Sequence, residues 1–320
     1  MRSLADDDAT MQSLVEAFFS NGFTTDNPLI TEAVKRMLAA GGKRLRPRIA
    51  LLAAEACGGN AAEHLHLAAY MELIHVATLI HDDVVDRAQV RRGVNATAVD
   101  YGNRISVLAG DYLFAWIFKN VTAGYAPPVP HILSATLASI CDGEVLQLRG
   151  LGRLDVSLDE YVEVARKKTA SLFAASAQCG AIVAGGTAAE IAALHEYGQA
   201  YGIAFQMRDD LLDVIASQRT LGKPVGNDVR ERKMTIPIIL ALATGDVAFT
   251  ADVKRWYHDG EEQAVAPILR GISDLDATSA TREALSAYVV RAKAALEPLG
   301  ASPARTELQK LADDLVGEED

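Results

Sequence analysis

Two acidic signatures are the residues of this chain best placed to do chemistry: Asp82, Asp83 and Asp86 in HDDVVD, and Asp209, Asp210 and Asp213 in RDDLLD. Both stand in strongly apolar surroundings. On a helix, carboxylates at i, i+1 and i+4 project within an arc of roughly 100°, so each set can aim its oxygens at one place. Asp82/Asp86 and Asp209/Asp213 are like charges one turn apart and repel unless a cation lies between them. Six desolvated carboxylates need neutralising. A hard divalent ion that prefers oxygen, Mg2+ above all, suits them. A single copy would also read as a solvated helix face, with Arg87 four residues after Asp83 as its partner. The second copy in a matching apolar frame decides for metal.

Basic residues cluster at four places: Lys43, Arg44 and Arg46 in GGKRLRP; Arg91 and Arg92 in VRRG; Arg166, Lys167 and Lys168 in RKKT; and Lys223, Arg230, Arg232 and Lys233 in GKPVGNDVRERK. In a chain of net charge −11, cations placed just after an acidic motif point to an anion held between cation and metal. Polyphosphate fits best, because guanidinium forks bind phosphate bidentately and lysine supplies a point charge. Gly41 and Gly42 let the backbone bend close to such a ligand. A metal-held diphosphate above an apolar pocket implies heterolysis of a carbon–oxygen bond, since charge growing on the leaving diphosphate is stabilised there. The fragment left behind must tolerate positive charge. An allylic prenyl group does, and an apolar pocket keeps from it the water that would quench it.

The elements that must position these groups read as helices. Apolar residues recur at helical spacing along nearly the whole chain, and half of its 320 residues are hydrophobic. Breaks at Gly41-Gly42, Gly58-Gly59, Gly93, Pro127 to Pro130, Gly150 to Gly152, Gly185-Gly186, Gly222 to Lys233 and Gly300 to Pro303 predict about ten helices. None of these breaks is a flexible linker, so a single domain over 1–320 is expected. The segments 61–86 and 190–214 each carry an acidic motif at the C-terminal end, and their carboxylates are expected to face one another across a shared cavity. The acidic charge argues against nucleic acid as a partner. No apolar run reaches the roughly 18 residues of a transmembrane segment, Glu72, His75 and His81 interrupting the best candidate. The N-terminus turns acidic at once, and Cys57, Cys141 and Cys179 show no CxxC spacing. A cytoplasmic protein with three buried thiols is the expectation.

In order, GGKRLRP, ELIHVATLIHDDVVD, RRG, GDYLFA, GEVLQL, KTASLF, FQMRDDLLD, and GKPVGND followed by KMTIP form a series that resembles the trans-isoprenyl diphosphate synthases of the polyprenyl synthetase family. The resemblance implies an all-α helical bundle around a central cavity, usually a homodimer, that condenses isopentenyl diphosphate with an allylic prenyl diphosphate. It implies isopentenyl diphosphate contacts from Lys43, Arg46, His75 and Arg92, and an allylic diphosphate contact from Arg91, with Lys233 also on the substrate side. It implies about three Mg2+ per active site, with Asp82, Asp86 and Asp209 as ligands and Asp83, Asp210 and Asp213 completing the motifs. Lys168, Thr169, Gln206 and Lys223 match residues that line the allylic diphosphate and the reacting carbons. Two positions depart from the pattern: Arg208 precedes the second acidic pair, and Arg232 stands where the family usually has glycine.

Short-chain members tend to carry an aromatic floor four or five positions before the first motif, where this chain has Thr78 and Ala77. The next large residue below Ala77 on that stripe is Tyr70, roughly 10 Å deeper. Ala77 is therefore expected to govern product length, and the resemblance is closest to medium- and long-chain synthases. A product of about C30–C40 is expected, with geranylgeranyl (C20) or farnesyl (C15) diphosphate as the competitors, released to membrane or detergent. A class I terpene cyclase shares the first motif but lacks the GGKR and RRG elements that this chain keeps. A regulatory subunit would have lost aspartates, and all six are present. A catalytic subunit that needs a small partner stays open.

Removing a ligand to the leaving-group metal removes transition-state stabilisation. Asp82→Ala and Asp209→Ala should each lower kcat by several orders of magnitude with the circular-dichroism spectrum unchanged. Full turnover in EDTA would overturn the metal assignment.

Overall fold

The computed structural model describes residues 8–215 and 226–317, and nearly all of them are helical. The chain forms two compact units, one of Met1–Ala135, Ala175–His195 and Glu297–Leu308, the other of Thr136–Ala174, Glu196–Leu296 and Gln309–Asp320. Several of the divisions fall within helices. No helix among the described residues is long and apolar enough to cross a membrane.

The first unit is built on α1 (Asp8–Gly22), α2 (Pro28–Ala39), α3 (Leu45–Ala56), α4 (Leu65–Val85) and, after a short hairpin, α5 (Thr97–Gly124). Asn27 starts α2 by accepting the amides of Leu29 and Ile30, ahead of Pro28 at the first helical position. α4 is apolar nearly all round and is buried against α3 and α5. The hairpin pairs β1 (Val90–Arg91) with β2 (Val94–Asn95), Val90 opposite Asn95 and Arg91 opposite Val94. Its two-residue turn is Arg92-Gly93 with φ of 51° and 78°, the double left-handed conformation of a type I′ turn. The RRG element is thus a hairpin tip, which the helical periodicity around it does not announce.

α6 (Val129–Gly150), α7 (Leu158–Ala165), α8 (Ser171–Val183) and α9 (Ala188–Ile215) follow. α7 begins with a capping box, Ser157 and Glu160 exchanging hydrogen bonds with each other's amides. It runs into a single wide π turn, Arg166–Ala170, that carries RKKTA. In the second unit α8 and α9 approach at small residues: a Cβ on Gly198 would lie 2.5 Å from the Phe173 carbonyl oxygen and 2.6 Å from the Ala174 Cα.

Then come α10 (Asn227–Arg230), α11 (Ile236–Ala243), α12 (Val247–Tyr257), α13 (Val265–Asp274), α14 (Ala277–Ala295) and α15 (Pro303–Asp313). Val229, Ile238, Phe249, Val253, Tyr257, Ile268 and Ile272 make one core beneath them. These helices are more numerous than the breaks predict, because turns at Gly245 (φ 75°), Gly260 (φ 74°) and Asp276 (φ 55°) interrupt what reads as continuous periodicity. The cysteines also differ from expectation. Cys179 is buried, Cys57 is partly so, and Cys141 is exposed on α6; all three are free.

The atoms that a side chain at 198 would meet are backbone, which cannot swing aside. Gly198→Ala should destabilise the protein by about 1–3 kcal/mol, read as a lower midpoint in urea with an unchanged slope.

Candidate active site

The first acidic motif is divided by the geometry of its helix. His75, Thr78, Leu79, Asp82 and Asp86 are all partly accessible, at the three- and four-residue spacing of one stripe of α4. Val76, Ala77, Ile80 and Asp83 are buried on the other faces. Asp82 and Asp86 therefore present their carboxylates one turn apart on the open stripe. Asp83 points into protein, where its Oδ1 accepts from Arg91 Nε at 2.7 Å and lies 2.6 Å from Nη2. Arg91, expected to touch a diphosphate, spends at least these contacts on Asp83.

Beside that stripe the GGKR loop meets the hairpin tip. The Arg92 guanidinium lies 3.0–3.1 Å from where a Cβ on Gly42 would stand, and its Nη1 donates to the Gly41 carbonyl. Only glycine, here at φ 146°, leaves that space. Lys43 is exposed and Arg46 half-buried, both able to offer charge outward. Arg44 does the opposite. It is buried, donates to Glu16 (2.7 Å), Glu72 (3.1 Å) and the Leu38 carbonyl (2.8 Å), and lies over the Phe19 ring. Burial, then the charges of Arg46, Arg92, Arg91 and Arg44, hold the His75 imidazole well below its usual pKa. His75 is thus neutral at pH 7, with one ring nitrogen to donate and one to accept.

The second unit divides its motif in the same way. Asp209 is exposed, whereas Asp210 and Asp213 are buried. Asp210 accepts from Tyr161 Oη (2.6 Å) and Gln206 Nε2 (2.8 Å). Burial and the neighbouring Asp228 push its pKa up. Asp213 accepts the amides of Asn227 (3.2 Å) and Asp228 (2.9 Å), the first two residues of α10, and so caps that helix. Asp82, Asp86 and Asp209 are thus the accessible carboxylates, while Asp83, Asp210 and Asp213 are buried and accept protein hydrogen bonds, the lower-energy arrangement for buried charge.

Around the π turn, Lys168 Nζ donates to Gln147 Oε1 at 2.7 Å and pairs with Glu144, both from the GEVLQL stretch of α6. Gly143 has no room for a side chain, because a Cβ there would lie 2.6 Å from the Lys168 amide nitrogen. Thr169 Oγ1 donates to Gln206 Oε1 at 2.7 Å. Lys233 lies 2.6 Å from Glu231, and Arg208 is half-buried on α9. Arg232, at the position usual for glycine, adopts φ 57°, the conformation glycine favours. Its guanidinium sits over the Trp256 ring. Lys223 lies outside the described residues.

Four residues that motif reading did not single out complete the geometry: Glu72, Glu144, Gln147 and Tyr161. The first three lie within quoted motifs. Tyr161 is a lone aromatic in the charged stretch SLDEYVEV, a weak signal on its own.

Among the described residues no three Asp, Glu, His or Cys side chains converge on one point. Asp82 and Asp86 are a partly accessible pair of carboxylates one turn apart on α4. Mg2+ keeps several waters and takes one or two carboxylates plus substrate phosphates, so this donor set fits it.

Residues 27–270 match the polyprenyl synthetase family. The chain is 39% identical over 294 residues to the short chain isoprenyl diphosphate synthase of Methanothermobacter thermautotrophicus, covering 91% of this chain and 90% of that protein. It is 37% identical over 299 residues to the octaprenyl diphosphate synthase of Escherichia coli, covering 93% of each. A polyprenyl synthase from Caulobacter crescentus, solved in complex with calcium and isoprenyl diphosphate, matches with a TM-score of 0.92 and 36% identity over 99% of this chain and 98% of that one.

Arg44 and Lys43 are adjacent but differ in their surroundings. Arg44→Ala leaves Glu72 as a buried unpaired charge and should cost about 3–5 kcal/mol. Lys43→Ala should change stability by less than about 0.5 kcal/mol. Urea unfolding of the two variants beside the wild type checks both.

Proposed function

Because the chain belongs to the polyprenyl synthetase family and is a prenyl diphosphate synthase, we propose that it condenses isopentenyl diphosphate with an allylic prenyl diphosphate to give an all-trans polyprenyl diphosphate of about C30–C40. The observation that carries this reading is the open stripe of α4. It sets Asp82 and Asp86 in line with His75, which stands at the three- and four-residue spacing of the same stripe.

Mg2+, when bound, would draw off the charge that builds on the leaving diphosphate. In the first unit Asp82 and Asp86 would hold it, and in the second Asp209 would offer a carboxylate to such an ion. In the reaction the allylic C1–O bond breaks, both electrons leaving with the diphosphate. The isopentenyl double bond then attacks the allylic C1, and the proton lost from the new tertiary cation restores a double bond. Lys43, Arg46 and Arg92, grouped by the Gly41-Gly42 turn and the hairpin tip, bind the isopentenyl diphosphate. Neutral His75 adds a hydrogen bond to that anion without a second positive charge to repel its neighbours. In the second unit Lys168, steered by Glu144 and Gln147, meets the allylic diphosphate together with Lys233. Gln206 and Thr169 stand as one hydrogen-bonded pair beside the reacting carbons.

Product length rests on α4. The matched relatives include a short-chain and an octaprenyl enzyme at nearly equal identity, so the residues themselves must decide. Thr78 is on the accessible stripe, without an aromatic ring to close it. Ala77 has no accessible surface and shares its stripe with Tyr70, which packs between Phe18 (6.1 Å) and Trp116 (5.9 Å). Ala77 is the expected control of product length, and the accessible Thr78 beside it is a second position at which a ring could close the wall.

A homodimer accounts for a further feature: Val107, Leu108 and Tyr112 form an exposed apolar run along α5. Sedimentation of the pure protein tests it.

Incubation of the pure protein with Mg2+, isopentenyl diphosphate and allylic primers of three lengths, followed by product sizing, tests the reading. No prenyl product from any primer would sink it. A twenty-carbon end product would replace the long-chain reading with the geranylgeranyl one. Thr78→Phe should shorten the product to fifteen or twenty carbons at wild-type stability. Ala77→Phe, forced into a filled interior, should first cost about 1–3 kcal/mol. Ala77→Phe shortening the product with Thr78→Phe neutral would leave the wall at Ala77 alone.

A further inference from the structure

A hydrogen-bonded chain in the second unit ends on a residue outside every motif. Thr169 Oγ1 donates to Gln206 Oε1 (2.7 Å), Gln206 Nε2 donates to Asp210 Oδ1 (2.8 Å), and Tyr161 Oη donates to Asp210 Oδ2 (2.6 Å). Tyr161 is 6% exposed, on the capped helix that leads directly into the π turn bearing Lys168 and Thr169. We propose that Tyr161 is a positioning residue for prenyl transfer, whose phenol fixes the direction of the hydrogen bonds that orient Gln206 and Thr169. The inference rests on the prenyltransferase reading given above.

The direction follows from what each group can do. The Tyr161 phenol donates to one oxygen of Asp210 and the Gln206 amide turns its NH2 to the other, so both Asp210 oxygens act as acceptors. With Oδ2 taken by Tyr161, Oδ1 of Asp210 is the acceptor turned toward α9. Gln206 must then present its NH2 to Asp210 and its carbonyl to Thr169. Thr169 in turn must donate, which leaves its oxygen lone pairs facing away from Gln206 as acceptors. One buried hydroxyl thereby sets the polarity of two side chains that meet the reacting carbons. Without it Asp210 loses a fixed partner, the carboxylate can turn, and Gln206 can present either end of its amide. Catalytic groups displaced by a fraction of an ångström lose rate more than affinity.

Tyr161→Phe keeps the ring that fills the core and removes only the hydroxyl. In the full-length protein with Mg2+, isopentenyl diphosphate and an allylic primer, kcat should fall about 10- to 100-fold. KM for isopentenyl diphosphate should not change, since Lys43, Arg46 and Arg92 are not in the chain of bonds, and the melting temperature should stay near the wild-type value. Gln206→Ala made in the Tyr161→Phe background should lose less than the product of the two single losses, because the chain is already broken. A wild-type kcat in Tyr161→Phe, a strictly multiplicative double variant, or a Tyr161→Phe protein that fails to fold would each overturn the proposal. Failure of the wild type to make any prenyl product removes the reaction itself; an active wild type with an equally active variant removes only the role of Tyr161.

Discussion

A carboxylate buried in an apolar helix must be given hydrogen bonds or charge, and the structure of both acidic motifs follows from that requirement. In neither motif do all three acids face the same way, although the i, i+1, i+4 spacing would allow it. The helix turns Asp83 inward to Arg91, and it turns Asp210 and Asp213 inward to Tyr161, Gln206 and the amides that open α10. The outward acids, Asp82, Asp86 and Asp209, keep accessible surface. The motif thus does two jobs at once, and its repeated aspartates are not equivalent. The inward ones tie the helix to the segments carrying the other reactive groups: the hairpin of Arg92, the pair Gln206–Thr169, and the chain before Lys233.

The same economy governs the basic residues. Of GGKRLRP, Arg44 is spent on Glu16, Glu72 and the end of α2, and so fixes the turn from which Lys43 and Arg46 project. Of RRG, Arg91 is spent on Asp83, while Arg92 rests on Gly41 and Gly42. Adjacent cations thus differ in what they hold. An arginine suits the holding role because its planar fork can satisfy several acceptors at once and stays charged when buried.

Much of this is legible from residue type and period. The all-helical fold follows from the 3.6-residue pattern, and the acidic and basic motifs name the chemistry. What the sequence hides is the division of labour inside each motif, since Asp82 and Asp83 are the same residue one position apart. Accessibility separates them, and it depends on which face of α4 meets α5. Ala77 illustrates the difficulty, because the spacing places it beside Thr78 while packing puts only Thr78 on the open stripe. Tyr161 and the hairpin were hidden for a different reason. Their partners lie 49 residues away in one case, and in the other the signal is backbone conformation at Arg92 and not side-chain pattern.

Backbone conformation also joins the loops into one physical argument. Arg44, Arg87, Arg92 and Arg232 all have φ near 50°, a region that costs a residue with a Cβ roughly 1 kcal/mol or more. Such strain persists only where surrounding contacts over-determine it. For three of the four those contacts are on view. Arg44 is pinned by two glutamates, and Arg92 by the Gly41 carbonyl. Arg232 is pinned by the Trp256 ring, while Trp256 Nε1 and Tyr257 Oη donate to the carbonyls of Val229 (2.6 Å) and Lys233 (2.7 Å) on either side of it. Arg232 therefore holds, at the expense of backbone strain, a conformation that favours glycine, and its side chain supplies an anchor to Trp256 that glycine could not.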